Sequence, residues 1–201
     1  MNDRSVAPGG LALVESLVNT LDIESGADAL DTAEGRARFG LPETIGGAEG
    51  ADGTRGAEDE LARARELRES LRAALLAHAG HPPHREVTPL GELLAAAPLL
   101  VAIDEHDGSA HLAPAGLAPA ALPPAGPAPA GPVPVGAVPL LSRTAAAVAE
   151  ALIAGTWTRL KACEAVTCHW AYYDRSPGGR GRWCSMQVCG ARAKMRRYRA
   201  K

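Results

Sequence analysis

Apolar residues recur at helical spacing in several stretches of the chain. Leu11, Val14, Leu17, Val18 and Leu21 form one apolar face that ends near Asp22. Residues 58–78 place Leu61, Ala64, Leu71 and Leu75 on one face of a longer helix whose remaining positions alternate in charge. Thr88-Pro89 joins a capping hydroxyl to a first-turn proline, which predicts a helix over 90–97. The period then shortens. Residues 99–104 read as a strand, 105–108 as a turn and 110–112 as the returning strand of a hairpin. Ser142 is placed to cap a last helix running to 153. The expected fold is mainly α with a small β hairpin, an α-rich N-terminal domain followed by a C-terminal four-cysteine module.

Two stretches interrupt this pattern. Residues 113–139 hold nine prolines and no charge, a composition that favours extended polyproline II and reads as a linker or an enlarged loop. The glycine-rich stretch 46–56 reads as a loop; it follows no strand and matches no phosphate-binding pattern. Met1-Asn2-Asp3-Arg4 leads to a short apolar stretch broken by Glu15, without a cleavage signature. No unbroken charge-free span of ~20 apolar residues occurs. The expected location is cytoplasmic, with no membrane partner.

Cysteine is confined to the last forty positions, as Cys163, Cys168, Cys184 and Cys189, spaced C-x4-C-x15-C-x4-C. Two short-spaced pairs separated by a loop supply the four soft ligands of a tetrahedral zinc ion. Two disulfides are the alternative, but such a distribution is unlike that of a disulfide-stapled secreted domain. His169, next to Cys168, is a spare donor that four cysteines make unnecessary.

Charge and aromatic residues divide the chain at the same place. Residues 159–201 carry eleven Lys or Arg against Glu164 and Asp174, a net +9, while residues 1–158 carry −11, so the overall −2 conceals an acidic body and a cationic tail. Such a tail suits a polyanion, or an intramolecular attraction to the body. Of seven aromatic residues only Phe39 precedes Trp157. The others, including Trp170, Tyr172, Tyr173, Trp183 and Tyr198, pack a small metal domain or stack on exposed bases, and the closeness of Trp170 and Trp183 to cysteines favours packing.

From Ser185 onward Val188, Ala191, Met195 and Tyr198 recur at helical spacing, an apolar seam expected to face the metal core. Arg192, Arg196 and Arg199 follow on an adjoining strip, and Lys194, Arg197 and Lys201 on another. Cationic flanks of this kind fit a helix pressed on phosphate or into a groove. Gly178-Gly179-Arg180-Gly181-Arg182 reads as a flexible turn whose Arg180 and Arg182 reach phosphates.

The run with Cys163, Cys168, Ala171-Tyr172-Tyr173-Asp174-Arg175-Ser176, Arg182-Trp183-Cys184-Ser185-Met186 and Cys189-Gly190-Ala191-Arg192 closely resembles the CGNR zinc finger. The resemblance implies zinc on the four cysteines and DNA contact in a bacterial transcription regulator. Ala191 stands where the family's name motif has Asn, so sequence preference carries over less directly than metal binding. Val18-Asn19-Thr20-Leu21-Asp22 and the Arg-Glu-Leu-Arg-Glu run at 65–69 resemble the ABATE domain, which implies a stress-related sensing or regulatory role. The expected division is an ABATE-like domain over 1–112, the linker over 113–139, a connecting helix over 140–158 and the finger over 159–201.

Asn19, Thr20 and Asp22 read as a helix end in preference to a pocket lining. His78, His81 and His84 read as a polar loop, and His106 and His111 as turn residues beside the hairpin. No nucleophile elbow, zinc-protease helix or nucleotide fingerprint is present, and no enzyme is expected. The expectation is a zinc-dependent, DNA-binding regulator that pairs as a homodimer or acts alone, with an effector the sequence does not name. Its rivals are an RNA-binding protein using the same basic surface and a protein-interaction adaptor with a structural zinc module.

Overall fold

The computed structural model describes residues 6–43, 51–114 and 139–200, so the proline-rich expectation falls almost wholly outside the described residues. Helix α1 (Leu11–Val18) buries Leu11, Val14, Leu17 and Val18, each at most 2% exposed. Helix α3 (Ala51–His78) buries Leu61, Ala64, Leu67, Leu71, Leu75 and Leu76 against it. Each leucine so buried contributes roughly 1.5–3 kcal/mol. A short helix, α2 (Ala33–Ala37), lies between them, capped by the Thr32 hydroxyl, which accepts from Gly35 N.

Helix α3 begins at residue 51, so the loop expected over 46–56 is corrected from that residue on. Once a long helix is nucleated, each added residue gains a backbone hydrogen bond, which offsets the ~1 kcal/mol that a glycine costs. Helix α4 (Leu90–Ala95) is shorter than expected, and Thr88 does not cap it. The Thr88 hydroxyl donates to Glu66 of α3, and its carbonyl accepts from Ser70 Oγ at 2.7 Å, so this residue tethers α4 to α3.

Strands β1 (Leu99–Ile103) and β2 (Ala110–Pro114) form the expected antiparallel hairpin, with Ile103 opposite Ala110. Strand β2 packs on helix α5 (Leu140–Ile153) and buries Ala113, leaving β1 outermost. Helix α5 starts two residues before Ser142, on Pro139, and Ser142 makes no cap. Pro139 as the N-cap removes one of the unpaired N–H groups of the helix start, and no side chain caps the rest. Helix α5 crosses α1 so closely that a Cβ on Gly10 would lie 2.8 Å from the Ala147 Cβ.

The chain then enters the cysteine-bearing region through a second antiparallel pair that the sequence pattern does not predict, β3 (Leu160–Ala162) and β4 (Ala171–Tyr173), with Leu160 opposite Tyr173. Strand β3 packs on α3 and β4 on α1. Leu160, Ala162 and Ala171 are fully buried and share one core with Leu71, Leu75 and Trp157. A second, small cluster gathers Cys163, Ala165 and Cys189 with Trp183 beside them. A π-helical turn (Met186–Gly190) leads into α6 (Ala191–Arg199), none of whose residues is buried.

Candidate metal centre and cationic helix

The first cysteine pair stands at the tip of the β3–β4 hairpin. Cys163 follows β3, and its N–H donates to the Trp170 carbonyl at 2.9 Å. The chain turns at Ala165, whose carbonyl accepts from Cys168 N (2.8 Å) and His169 N (3.1 Å). His169 completes the turn with φ +44°, a left-handed conformation uncommon for a residue other than glycine.

The second pair is carried by the π-helical turn. Ser185 Oγ accepts from Val188 N, and Gly190 N donates to the Ser185 carbonyl at 3.0 Å, which brings Cys184 and Cys189 to one side. Gly190 is fitted closely, since a Cβ there would lie 3.1 Å from Met186 Sδ and 3.3 Å from the Trp183 ring. Ala191, the position at which the family motif has Asn, is exposed and opens α6.

The four thiols converge, all Sγ atoms lying within 4.8 Å of one another, with Cys168 to Cys184 at 3.7 Å and Cys184 to Cys189 at 3.8 Å. These spacings far exceed a disulfide bond, and all four cysteines are free. Zn–S bonds of about 2.3 Å at tetrahedral angles put sulfurs roughly 3.8 Å apart, the separation of Cys184 from Cys168 and from Cys189. The electrostatics ask for a cation as well. S–H donors on Cys168 and Cys184 draw Cys163 down to about 4, while Cys184, which hydrogen-bonds to Cys163 and Cys168 in a buried setting, is pushed strongly upward. One thiolate forms readily and the next resists, so four together need a central positive charge.

The loop between the pairs is pinned, which corrects the expectation of a flexible turn. Asp174, 4% exposed, accepts from Lys161 Nζ (2.9 Å), Gly181 N (2.7 Å) and Ser176 N (3.0 Å). Burial alone would raise its carboxyl, but the bonds from Ser176 and Lys161 carry it well below the usual range. Lys161 Nζ also donates to the Gly179 carbonyl, and Arg159 gathers the carbonyls of Asp174, Ser176 and Pro177. Gly181 approaches Asp174 too closely for a Cβ, which would sit 2.9 Å from the carboxyl carbon. The Tyr172 hydroxyl donates to the Gly181 carbonyl at 2.7 Å.

The seven candidate nucleic-acid contacts divide into two groups. Arg182 is held by both carboxylate oxygens of Glu164, and Arg192 reaches both oxygens of Glu24 at 3.0 Å. Arg180, Lys194, Arg196, Arg197 and Arg199 are exposed and have no acidic partner among the described residues. The apolar seam expected to face the metal core faces outward. Val188, Met195 and Tyr198 are 39%, 52% and 79% exposed, and a shallow cleft is lined by Lys194, Met195, Arg197 and Tyr198. No residue of α6 is buried, so helical spacing along it marks no face that meets the cluster. Trp183 and Tyr172 pack as expected.

Charges expected on a solvated helix face lie inside the molecule. Arg72 is fully buried and donates to the carbonyls of His169 (2.9 Å) and Val18 (2.8 Å), with Glu69 at 3.2 Å. Glu69, 2% exposed, also receives Arg68 Nε (2.7 Å) and the His84 ring (2.9 Å), and Arg68 continues to Asp28 (2.7 Å) and Thr20 Oγ1 (3.1 Å). Burial would raise the Glu69 carboxyl, but Arg72 and Arg68 hold it below the ordinary value. Asn19 ends α1, as expected, yet its side chain spans to β4, donating to the Ala171 carbonyl (3.0 Å) and accepting from Ala171 N (2.7 Å). His78 leaves the expected polar loop to donate to the Leu160 carbonyl at 2.7 Å, edge-on to Trp157. The signal in the sequence is position: Arg68 and Arg72 follow Ala64 at steps of four, on the same face as Leu71 and Leu75.

No helix among the described residues is long and apolar enough to cross a membrane. No curated protein matches the chain. Residues 159–201 match the family model "CGNR zinc finger", the stretch that holds the four thiols and α6. Residues 11–155 match the model ABATE, described as "Putative stress-induced transcription regulator". The chain therefore belongs to the ABATE family and carries a CGNR zinc finger at its C-terminal end.

Proposed function

We propose that the protein is a zinc-dependent transcription regulator in which Cys163, Cys168, Cys184 and Cys189 hold the metal and α6 contacts duplex DNA. The observation that carries the reading is the exposure of Lys194, Arg196, Arg197 and Arg199 on one short helix, free of acidic partners among the described residues; Arg180, in the loop between the cysteine pairs, is exposed and without an acidic partner in the same way. The zinc is structural: four thiolates fill its coordination shell, so it supplies a charge that holds the two cysteine pairs together and leaves no position for a substrate. The ABATE region, with the finger as a second unit, is the regulatory part. A cleft of about 550 Å³ between α3, α4 and α5, where Leu41, Leu67 and Leu93 meet Glu60, Arg63 and Glu92, supports a sensing role.

Titration of the zinc-loaded protein with labelled duplex, single-stranded DNA and structured RNA tests this. With about five phosphate contacts, log K for the duplex falls with log salt at a slope near −4.5, and Arg196→Ala with Arg197→Ala flattens it by about two. Preference for structured RNA or single strands favours the RNA reading, in which exposed Tyr198 stacks on a base. Salt-independent binding, or none, favours the adaptor.

A further inference from the structure

The two cysteine pairs are attached to the rest of the molecule very unequally. The segment following Cys168 is gripped at consecutive residues: the His169 carbonyl by buried Arg72, the Trp170 carbonyl by Cys163 N, and both backbone groups of Ala171 by the Asn19 side chain. Arg72 and Asn19 lie on or at the end of helices of the ABATE region, and each reaches across about a hundred residues or more of sequence to the same three-residue stretch, 169–171. The second pair rests on the π-helical turn and α6. Among the described residues, the one hydrogen-bonded tie from residues 184–200 to the ABATE region is the exposed Arg192–Glu24 pair.

We infer that Arg72 and Asn19 are positioning residues for the metal centre, holding the first cysteine pair in place so that metal binding recruits the second pair and fixes the orientation of α6. The inference rests on the proposed metal reading and adds the direction of its regulation. A tetrahedral site gains affinity when its ligands are held before the metal arrives, because the ordering cost has already been met by folding. Arg72 is suited to the task. Its guanidinium is planar and fixed by Glu69, so its two carbonyl acceptors, on α1 and on the cysteine turn, are held at a set separation. It also satisfies a carbonyl belonging to a residue in a left-handed conformation, which stabilises a turn the backbone would otherwise leave. Asn19 presents one acceptor and one donor to Ala171, the pattern of a neighbouring strand, and so aligns β4. By linkage, whatever shifts α1 against α3 changes metal affinity by the same factor by which metal changes that shift.

Competition between the reduced full-length protein and a chromogenic zinc chelator tests the inference, alongside the visible ligand-field bands of the cobalt(II)-loaded protein. Asn19→Ala and Arg72→Lys each weaken zinc binding by about 10–100-fold and shift the cobalt bands, since a displaced first pair distorts the tetrahedron. Arg38→Ala, which removes an exposed pair with Glu34, changes neither reading. Asn19 is the milder site, so Asn19→Ala decides should Arg72→Lys fail to fold. A folded Asn19→Ala protein with unaltered zinc affinity and cobalt spectrum overturns the inference while leaving the metal reading intact. A wild-type protein that takes up no zinc overturns the metal reading and the inference with it.

Discussion

Helix α3 turns Arg68 and Arg72 inward, 4% and 0% exposed, whereas α6 leaves Arg196, Arg197 and Arg199 in solvent. Both helices carry several arginines, five among the 28 residues of α3 and four among the nine of α6, and they differ in what accompanies them. The inward arginines of α3 meet Glu69 and Asp28, two positive charges against two negative, and the remaining N–H groups find carbonyls of Val18 and His169. Helix α6 contains no acid at all. An arginine can be buried only where charge and every donor are answered, so the first arrangement builds a fold and the second leaves its charge exposed.

Metal removal tests the comparison most severely. Structural zinc contributes on the order of 10–16 kcal/mol in small zinc-finger peptides, and here β3 and β4 close a core shared with Leu71 and Leu75. Treating the reduced protein with excess chelator is expected to abolish amide protection in α6 and the π-helical turn, and to lower it in β3, β4 and the facing turns of α3. Hydrogen exchange with and without chelator measures this. Protection unchanged in α3 would mean that the finger is held beside the core without sharing it.

Next in size is the loss of a single buried charge. Arg72→Ala leaves Glu69 with less compensation and two carbonyls unanswered, at a cost of about 3–5 kcal/mol in denaturant titrations. Arg197→Ala on α6 leaves stability unchanged, because its side chain is exposed and unpaired among the described residues. Equal effects from the two substitutions would dissolve the distinction between the helices.

The elements of this fold were legible where one rule acted alone. The apolar faces of α1 and α3, the β1–β2 hairpin and the cysteine spacing each follow from periodicity or ligand chemistry, and the structure contains them. What stayed hidden depends on tertiary partners. Arg68, Glu69 and Arg72 look like surface residues until Asp28, Val18 and His169 arrive from distant positions, and Asn19 looks like a helix end until β4 lies beside it. The spacing of Val188, Met195 and Tyr198 marks a helix but no buried face, because none of the residues of α6 is buried. Strands β3 and β4 are three residues each, too short for alternation to register.

The smallest expected effect sharpens the comparison at the point where it blurs. Arg192 is the base of α6 that does have an acidic partner, both oxygens of Glu24 lying 3.0 Å away, in a pair exposed on both sides at 52% and 59%. Water and salt screen such a pair, so it adds little to the fold, but at low ionic strength it occupies a cation that would otherwise face phosphate. Glu24→Gln removes the charge without changing the shape. Duplex affinity is then expected to rise by less than about tenfold near 50 mM salt, with the gain fading by about 200 mM and the salt slope steepening by roughly one. Adding Arg192→Ala should abolish the difference between the wild-type protein and the Glu24→Gln variant, as a double-mutant cycle measured in the same titration would record. If Glu24→Gln leaves low-salt binding unchanged or weakens it, Arg192 belongs with the structural arginines of α3 and the partner-facing group on α6 begins at Lys194.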